Sequence, residues 1–354
     1  MKCALIEFNY YHDETLPSLV YLLNRIGIVP DVYLPVRAAR KDPFAYARSL
    51  RWRRFFTDGL WAVRGTPSRF LRYEFAIFNS VEPPSVLHRA AANNVPTLAV
   101  LHNADLPAAH SEYAAYFSSP ARRPIVLWGY IAEALGSRLD ARWIAPVYLG
   151  DTPQPPSRRG PVTFCVQGNL EYSRRNYQSL LQAVSALRHE RRDFKVSVVG
   201  RSDGLDGLAF KREVARADLG RFFSFTSGEI GYRDYFARVA AADFLLPLID
   251  ASSERYSPYF RCKLTSSMSL AIGLGVVPIA HTRLATLYRV AEGGLTYEDG
   301  GLADAMRQAL ADPPDVHEHR RHSVASVKSR LLVESEANLR EAVAGLPGAR
   351  PEAG

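Results

Sequence analysis

Of 354 residues only three are cysteine and three methionine. Cys3, Cys165 and Cys262 are scattered, odd in number and without a C-x-x-C pair, which argues against a disulfide framework or a thiolate zinc site. Cysteine used this sparingly suits a reducing compartment, most simply the cytoplasm. Long apolar runs are also missing. No stretch reaches the roughly 18 residues that a spanning helix needs. The opening MKCALIEFNYYHDE turns polar and acidic before a secretory core could form. Several motifs are absent as well. There is no G-x-G-x-x-G after a strand and no G-x-x-x-x-G-K-[ST], so neither dinucleotide nor P-loop binding is signalled. H-E-x-x-H and the G-x-S-x-G elbow are missing, which weakens protease and hydrolase readings. No D-x-D pair stands ready to hold a metal against a diphosphate, so no metal or cofactor is expected.

What is present is a globular balance, 47% hydrophobic and 23% charged, over a length that suits two domains. The net charge of +8 is concentrated. Residues 37–72 carry ten basic residues against two acids, so the remainder of the chain is neutral in sum. Phe44, Tyr46, Trp52, Phe55, Phe56, Trp61 and Phe70 are interleaved with those arginines. Arginine heads on aromatic bodies suit the headgroup layer of an anionic membrane. A helical pair with a wet arginine face fits equally, and nucleic acid is the weakest of the three readings.

The rhythm along the chain is strand, helix, strand. Cys3–Phe8 reads as a strand, Asn9–Thr15 as a polar loop, and LPSLVYLLNRIG as a helix stopped by Gly27. DVYLPV, EFAIFNS, TLAVLH, PIVLWG and RWIAPVYL follow as strands, with a helix near Pro84–Asn93. Short connections between such units imply a parallel sheet. DTPQPPSRRG, residues 151–160, has three prolines and reads as a linker between a first domain of residues 1–150 and a second of residues 161–315. In the second, VTFCVQGN, KVSVVG, FFSFTSG, DFLLPLID and VVPIAH read as strands, alternating with helices. A last helix is expected over 316–344, packing back on the first domain, before a frayed tail at 345–354. The fold class is α/β, with two doubly wound Rossmann-like domains.

VQGNLEYSRRNYQSLLQAV, KVSVVGR, GYRDYFARVAAADFLLPLI and KLTSSMSLAIGLGVVPIAH, in that order, resemble the donor-binding domain of GT-B glycosyltransferases. The first half is similar in layout, with a loop after its first strand and LHNAD ending a middle one. The resemblance implies a nucleotide-sugar bound in a cleft between two Rossmann-like domains. In open α/β sheets ligands sit beyond the carboxyl ends of the strands, and the motifs lie there. Gly168 and Asn169 follow one strand, with Arg174, Arg175 and Asn176 at the next helix start, where N–H groups and cations favour anions. Arg201 follows another strand. Arg261 and Lys263 precede a helix opening on Ser266 and Ser267, which together would hold a diphosphate. Gly228, Glu229 and Ile230 are expected to line a base pocket, with Glu254 and Tyr256 also near the donor. The large retaining families carry two glutamates eight positions apart. Here Glu254 can be the first, but position 262 is cysteine.

An inverting transfer needs a general base, and His12, Asp13 and Glu14 lie in the loop after the first strand, where such enzymes often keep theirs. His102 resembles the histidine that some GT-B enzymes set near the donor sugar. Each has a plainer reading. Glu14 suits the first turn of the next helix, Tyr256 equally suits packing, and either histidine equally suits a satisfied place in a loop. The expectation is a metal-independent transferase, cytoplasmic or peripheral on the cytoplasmic membrane face, acting on a glycan or lipid-linked acceptor. A GT-B-shaped epimerase and a non-catalytic membrane or polyanion binder are the alternatives.

Overall fold

The computed structural model describes residues 1–9, 11–57, 73–91, 95–152, 160–190 and 193–348. Arg64, Arg69, Arg72, Trp61 and Phe70 of the basic stretch, most of the expected linker and the end of the tail lie outside the described residues.

The chain divides into two compact units. One comprises Met1–Asp151, the short segment Arg261–Leu264 and the chain from Arg330 onward; the other comprises Thr152–Phe260 and Thr265–Ser329. The first unit holds seven strands: Cys3–Ile6 (β1), Asp31–Leu34 (β2), Arg53–Phe56 (β3), Phe75–Phe78 (β4), Thr97–Leu101 (β5), Arg122–Val126 (β6) and Arg142–Trp143 (β7). They form one sheet in the order β3-β2-β1-β4-β5-β6-β7, with every neighbouring pair parallel. The second unit holds Val162–Gln167 (β8), Phe194–Val199 (β9), Phe223–Phe225 (β10), Phe244–Leu245 (β11), Val277–His281 (β12) and Leu295–Tyr297 (β13). Their order is β10-β9-β8-β11-β12-β13, again parallel throughout.

Both sheets therefore start in the middle, build outward on one side, then return to build on the other. The strand order reverses between β1 and β4 and between β8 and β11, and at such a point the connecting loops diverge and leave a crevice. Helices on the faces explain why the central strands are apolar without alternation: all four residues of β1 and of β4 are buried. The helix Leu16–Arg25 buries Leu16, Leu19, Val20, Leu22 and Leu23 and keeps Arg25 on its wet side. The helix Ser266–Leu274 is apolar all round, and every residue after Ser266 is buried.

The basic stretch is described only as far as residue 57. That part forms a short helix, Val36–Lys41, and the edge strand β3, which the sequence reading did not anticipate. Phe44 is 1% exposed in the core, Trp52 stacks on it at 4.1 Å, and the Arg54 guanidinium lies 5.3 Å from the Trp52 ring. Arg53 pairs with buried Asp31 at 2.6 Å, and Phe56 is exposed. The last helix runs Pro314–Ala344, starting on a proline, which the first turn tolerates. Its later residues Leu339, Ala342 and Val343 are buried in the first unit's core, and Ser335 Oγ accepts from Ala145 N at 2.8 Å.

Candidate functional site

In the second unit, polar groups gather at the carboxyl end of β8, beside β11. The chain leaves β8 through Gly168 at φ +91°, a left-handed conformation that glycine adopts without strain. A side chain on Gly200 would put its Cβ 2.3 Å from Gly168 O, so the turns after β8 and β9 touch backbone to backbone. Arg175 reaches under this turn. It is 7% exposed, its Nη2 donates to Ser267 Oγ at 3.0 Å, and its Nε finds no acceptor among the described residues. No carboxylate pairs with it there, which is unusual because a buried charge without a counter-ion costs several kcal/mol. Ser266 and Ser267 open the helix Ser266–Leu274, whose cap residue Thr265 makes no side-chain hydrogen bond to the free N–H groups. A buried cation and an uncapped helix N-terminus thus meet on one spot, and both favour an anion.

Gln167, the last residue of β8, organises this spot. Its Nε2 donates to Ser267 Oγ at 2.7 Å and lies 3.3 Å from Ser266 Oγ, while Tyr235 OH donates to its Oε1. Ser267, fully buried, therefore takes two donors on its hydroxyl oxygen and acts as a post under the turn. Ser266 is the more open hydroxyl of the pair. Asn176 caps the helix Tyr177–Leu187 through Ser179 N at 3.1 Å and donates to Asp250 at 2.6 Å. Arg174 is paired with Glu171 at 2.6 Å and Arg201 with Asp203 at 2.8 Å, both exposed. Asn169 is exposed near Glu171. Gly228, Glu229 and Ile230 lie in the loop between β10 and the helix Tyr232–Ala240. Glu254 is exposed at the start of a 3-10 helix, and Tyr256 is buried there with its hydroxyl 3.4 Å from Tyr172 O.

Arg261 and Lys263 are placed differently from the sequence expectation. They belong to the first unit rather than to the one that contains Ser266 and Ser267. Arg261 pairs with Asp105 at 3.0 Å, and the same carboxylate accepts from the Cys262 thiol at 3.0 Å. Lys263 forms an isolated antiparallel bridge with Asn103, and its carbonyl accepts from Tyr130 OH at 2.8 Å. They are assigned there because the segment pairs with the loop after β5, a long-range pairing invisible in local sequence. Burial pushes the Cys262 thiol up to about 11, so it is no nucleophile.

A second polar cluster fills the carboxyl end of β1 and β4 in the first unit. Glu7 and Asn79 are both fully buried, and Asn79 Nδ2 donates to Glu7 Oε2 at 2.5 Å and to His12 O at 2.9 Å. Asn9 N donates to the other Glu7 oxygen at 2.6 Å. Burial raises the Glu7 carboxyl well above its ordinary range, against the lowering effect of those donors. His12 has φ +71°, and its imidazole lies on that of His102 with centroids 3.6 Å apart. His102, 4% exposed, places Nε2 2.8 Å from Asn79 O, and burial lowers its pKa to about 4. The ring is therefore neutral near pH 7 and gives its Nε2 proton to the carbonyl. Glu82 Oε1 accepts from the backbone N–H of His102 at 3.0 Å and of Asn103 at 2.9 Å. Of the acids expected after β1, Asp13 is buried and Glu14 half-buried, both in a short 3-10 turn.

Sequence reasoning named His12 and His102 but missed Glu7, Asn79, Glu82, Gln167 and Tyr235. A signal existed for three of them. Glu7, Asn79 and Gln167 are each a single polar residue ending an apolar strand run, in CALIE, FAIFN and FCVQ.

No protein-family model and no curated protein matches the chain. Solved structures do. The crystal structure of Anabaena Alr3699/HepE in complex with UDP and glucose is similar over 98% of this chain and 100% of that one, with a TM-score of 0.65 at 12% identity. A glycosyltransferase from Rickettsia africae ESF-5 is similar over 98% of each chain, also with a TM-score of 0.65 at 12% identity. The apo form of the lipopolysaccharide outer core galactosyltransferase WaaB gives 0.57 at 13% identity over 97% of this chain. The chain thus has the GT-B fold, as the element order of its second half led us to expect. Among the described residues, no helix is long and apolar enough to cross a membrane.

Proposed function

We propose that this protein is a glycosyltransferase that moves a sugar from a nucleotide-sugar donor to a hydroxyl acceptor. The observation that carries the reading is Arg175, a buried guanidinium with no carboxylate partner among the described residues, beside the uncapped N-terminus of the helix Ser266–Leu274. A nucleoside diphosphate supplies the missing negative charge, and it is the leaving group of such a transfer. The glycines after β8 and β9 let a phosphate approach the backbone, and Ser266 is open to it. The loop Gly228–Ile230 is our choice for the nucleobase. Uridine diphosphate is the first nucleotide to try, since HepE is named in complexes with UDP and UDP-glucose.

In the first unit, His12 is our choice for the base that takes the acceptor proton. Asp13 is buried, and Glu14 sits half-buried in the 3-10 turn. The balance is simple. The acceptor oxygen bonds the anomeric carbon, its proton goes to the imidazole, and the diphosphate leaves with the electron pair. This assignment makes the transfer inverting. The acceptor class we favour is a growing surface glycan or its lipid-linked form. Exposed Arg51, Arg53, Arg54 and Phe56 would meet an anionic cytoplasmic membrane face. Cations and helix N–H groups do the work of a metal, so chelator should leave turnover intact.

The test is a thermal-shift panel of UDP, GDP, ADP, dTDP and CMP at low and high salt, followed by product analysis with the matching nucleotide-sugar and chelator present. One nucleotide that stabilises in both salts supports the donor site, since a nonspecific attraction is screened. A stabilisation that vanishes in high salt for every nucleotide removes the main support for a transferase. Turnover without an acceptor would instead favour an epimerase or a hydrolase.

A further inference from the structure

Asn79 grips the loop after β1 at several points of the polar cluster in the first unit, and it bonds to both histidines. Its Nδ2 donates both to Glu7 and to the carbonyl of His12. Thr15 Oγ1 lies 2.7 Å from Asn79 Oδ1 and 2.7 Å from His12 O. Its one proton can serve only one of them, and Asn79 Oδ1 is the acceptor with no other donor among the described residues. Asn79 N donates to Ile6 O at 2.8 Å, which fixes the residue to β1, and its own carbonyl accepts from His102 Nε2. One residue therefore ties the backbone of His12 and the ring of His102 to the same strand end.

The His12 conformation needs such a tie. A left-handed φ costs a non-glycine residue about 1 kcal/mol or more, and it persists only where surrounding contacts over-determine it. Two donors converge on the His12 carbonyl, Asn79 Nδ2 and Thr15 N at 3.2 Å. With the carbonyl pinned, the direction of the Cα–Cβ bond is set, and from it the ring reaches His102 at 3.6 Å between centroids. Tyr11 meets the His12 ring edge-on at 4.8 Å.

We infer that Asn79 is a positioning residue, whose carboxamide holds His12 in its left-handed conformation and so sets the imidazole against His102. This rests on the transferase reading only for what the imidazole then does. The carboxamide acts through His12 and touches no reacting atom.

The test is histidine imidazole NMR of Asn79→Ala, with His12→Ala and His102→Ala to assign the signals, alongside steady-state kinetics. Stacked rings at this distance shift each other's protons upfield. In Asn79→Ala the upfield shift should be lost, while His102 stays bonded to the backbone carbonyl that the substitution preserves. Turnover should fall about tenfold or more, as expected for a misplaced catalytic group, with donor KM nearly unchanged. Thr15→Val is the second variant should Asn79→Ala not fold; it should weaken the same shift. Retained stacking in either variant overturns the inference, whatever the activity. Loss of stacking in Asn79→Ala, with a parent protein that itself transfers no sugar, upholds the positioning role and instead sinks the transferase reading.

Discussion

Arg175 donates to Ser267 Oγ at 3.0 Å from a guanidinium that is all but sealed from water. The contact supplies one neutral acceptor to a full charge. Ion binding and folding therefore compete at this residue, because the empty site is stabilised by removing the charge and the filled site is not. Arg175→Met should leave the free protein as stable as the parent or more so, and should abolish the thermal shift given by a nucleoside diphosphate. Saturating ligand at one hundred times Kd raises stability by about 2.7 kcal/mol, so the loss is easily read. A variant that is destabilised and still binds nucleotide would mean that Arg175 is a structural residue.

Gly200 has no room for a side chain. An added Cβ would meet Gly168 O at 2.3 Å, at a φ of +142° that strains any other residue. Gly200→Ala should cost at least about 2 kcal/mol by urea unfolding, and should weaken nucleotide binding in the protein that remains folded. Gly204→Ala is the control, because nothing lies within 4 Å of its added Cβ.

His102 makes stability depend on pH. Its folded pKa of about 4 lies below the ordinary 6.5, so between those values the unfolded chain binds the proton and the folded one does not. The neutral ring's contribution is fully present above about pH 6.5 and is lost as pH falls toward 4, a change of about 3 kcal/mol. Glu7 acts in the other direction: its raised pKa weakens the fold as pH rises. Comparing the parent with His102→Gln separates the two. The difference between their unfolding free energies should change across pH 4 to 6.5 and be flat above it. A difference that is flat throughout would mean that the imidazole is solvated.

Tyr235→Phe removes the hydroxyl that donates to Gln167 Oε1 and leaves the ring in place. One half-buried hydrogen bond is lost, so stability should fall by about 1 kcal/mol. Gln167 would then be free to turn its amide away from Ser266 and Ser267, and nucleotide affinity should drop with it. Unchanged affinity would restrict Tyr235 to packing.

Much of the fold was legible because parallel strands buried on both faces read as unbroken apolar runs. CALI, FAIF and TLAVL were found that way, and so were the helix faces of Leu16–Arg25 and Tyr177–Leu187. Strand β3 escaped for the converse reason. RRFF at a sheet edge is mostly exposed and has no alternation to see. In the sites, the basic and histidine residues drew attention because their types carry chemistry. Arg174 and Arg175 looked equivalent in sequence, yet one is an exposed partner of Glu171 and the other is buried against Ser267.

The sequence by itself determined the α/β class, the doubling of a parallel unit and the polar residues that end its apolar strand runs. Those depend on local periodicity and turn chemistry, which neighbouring residues encode. Only the tertiary structure decided which polar groups meet. Asn79 reaches Glu7, Thr15 and His12 across more than sixty residues of chain, Gln167 reaches Ser267 across one hundred, and Arg261–Leu264 joins the first unit. Such contacts follow from strand order at the two switch points, and strand order is fixed by packing of the whole sheet rather than by any one segment.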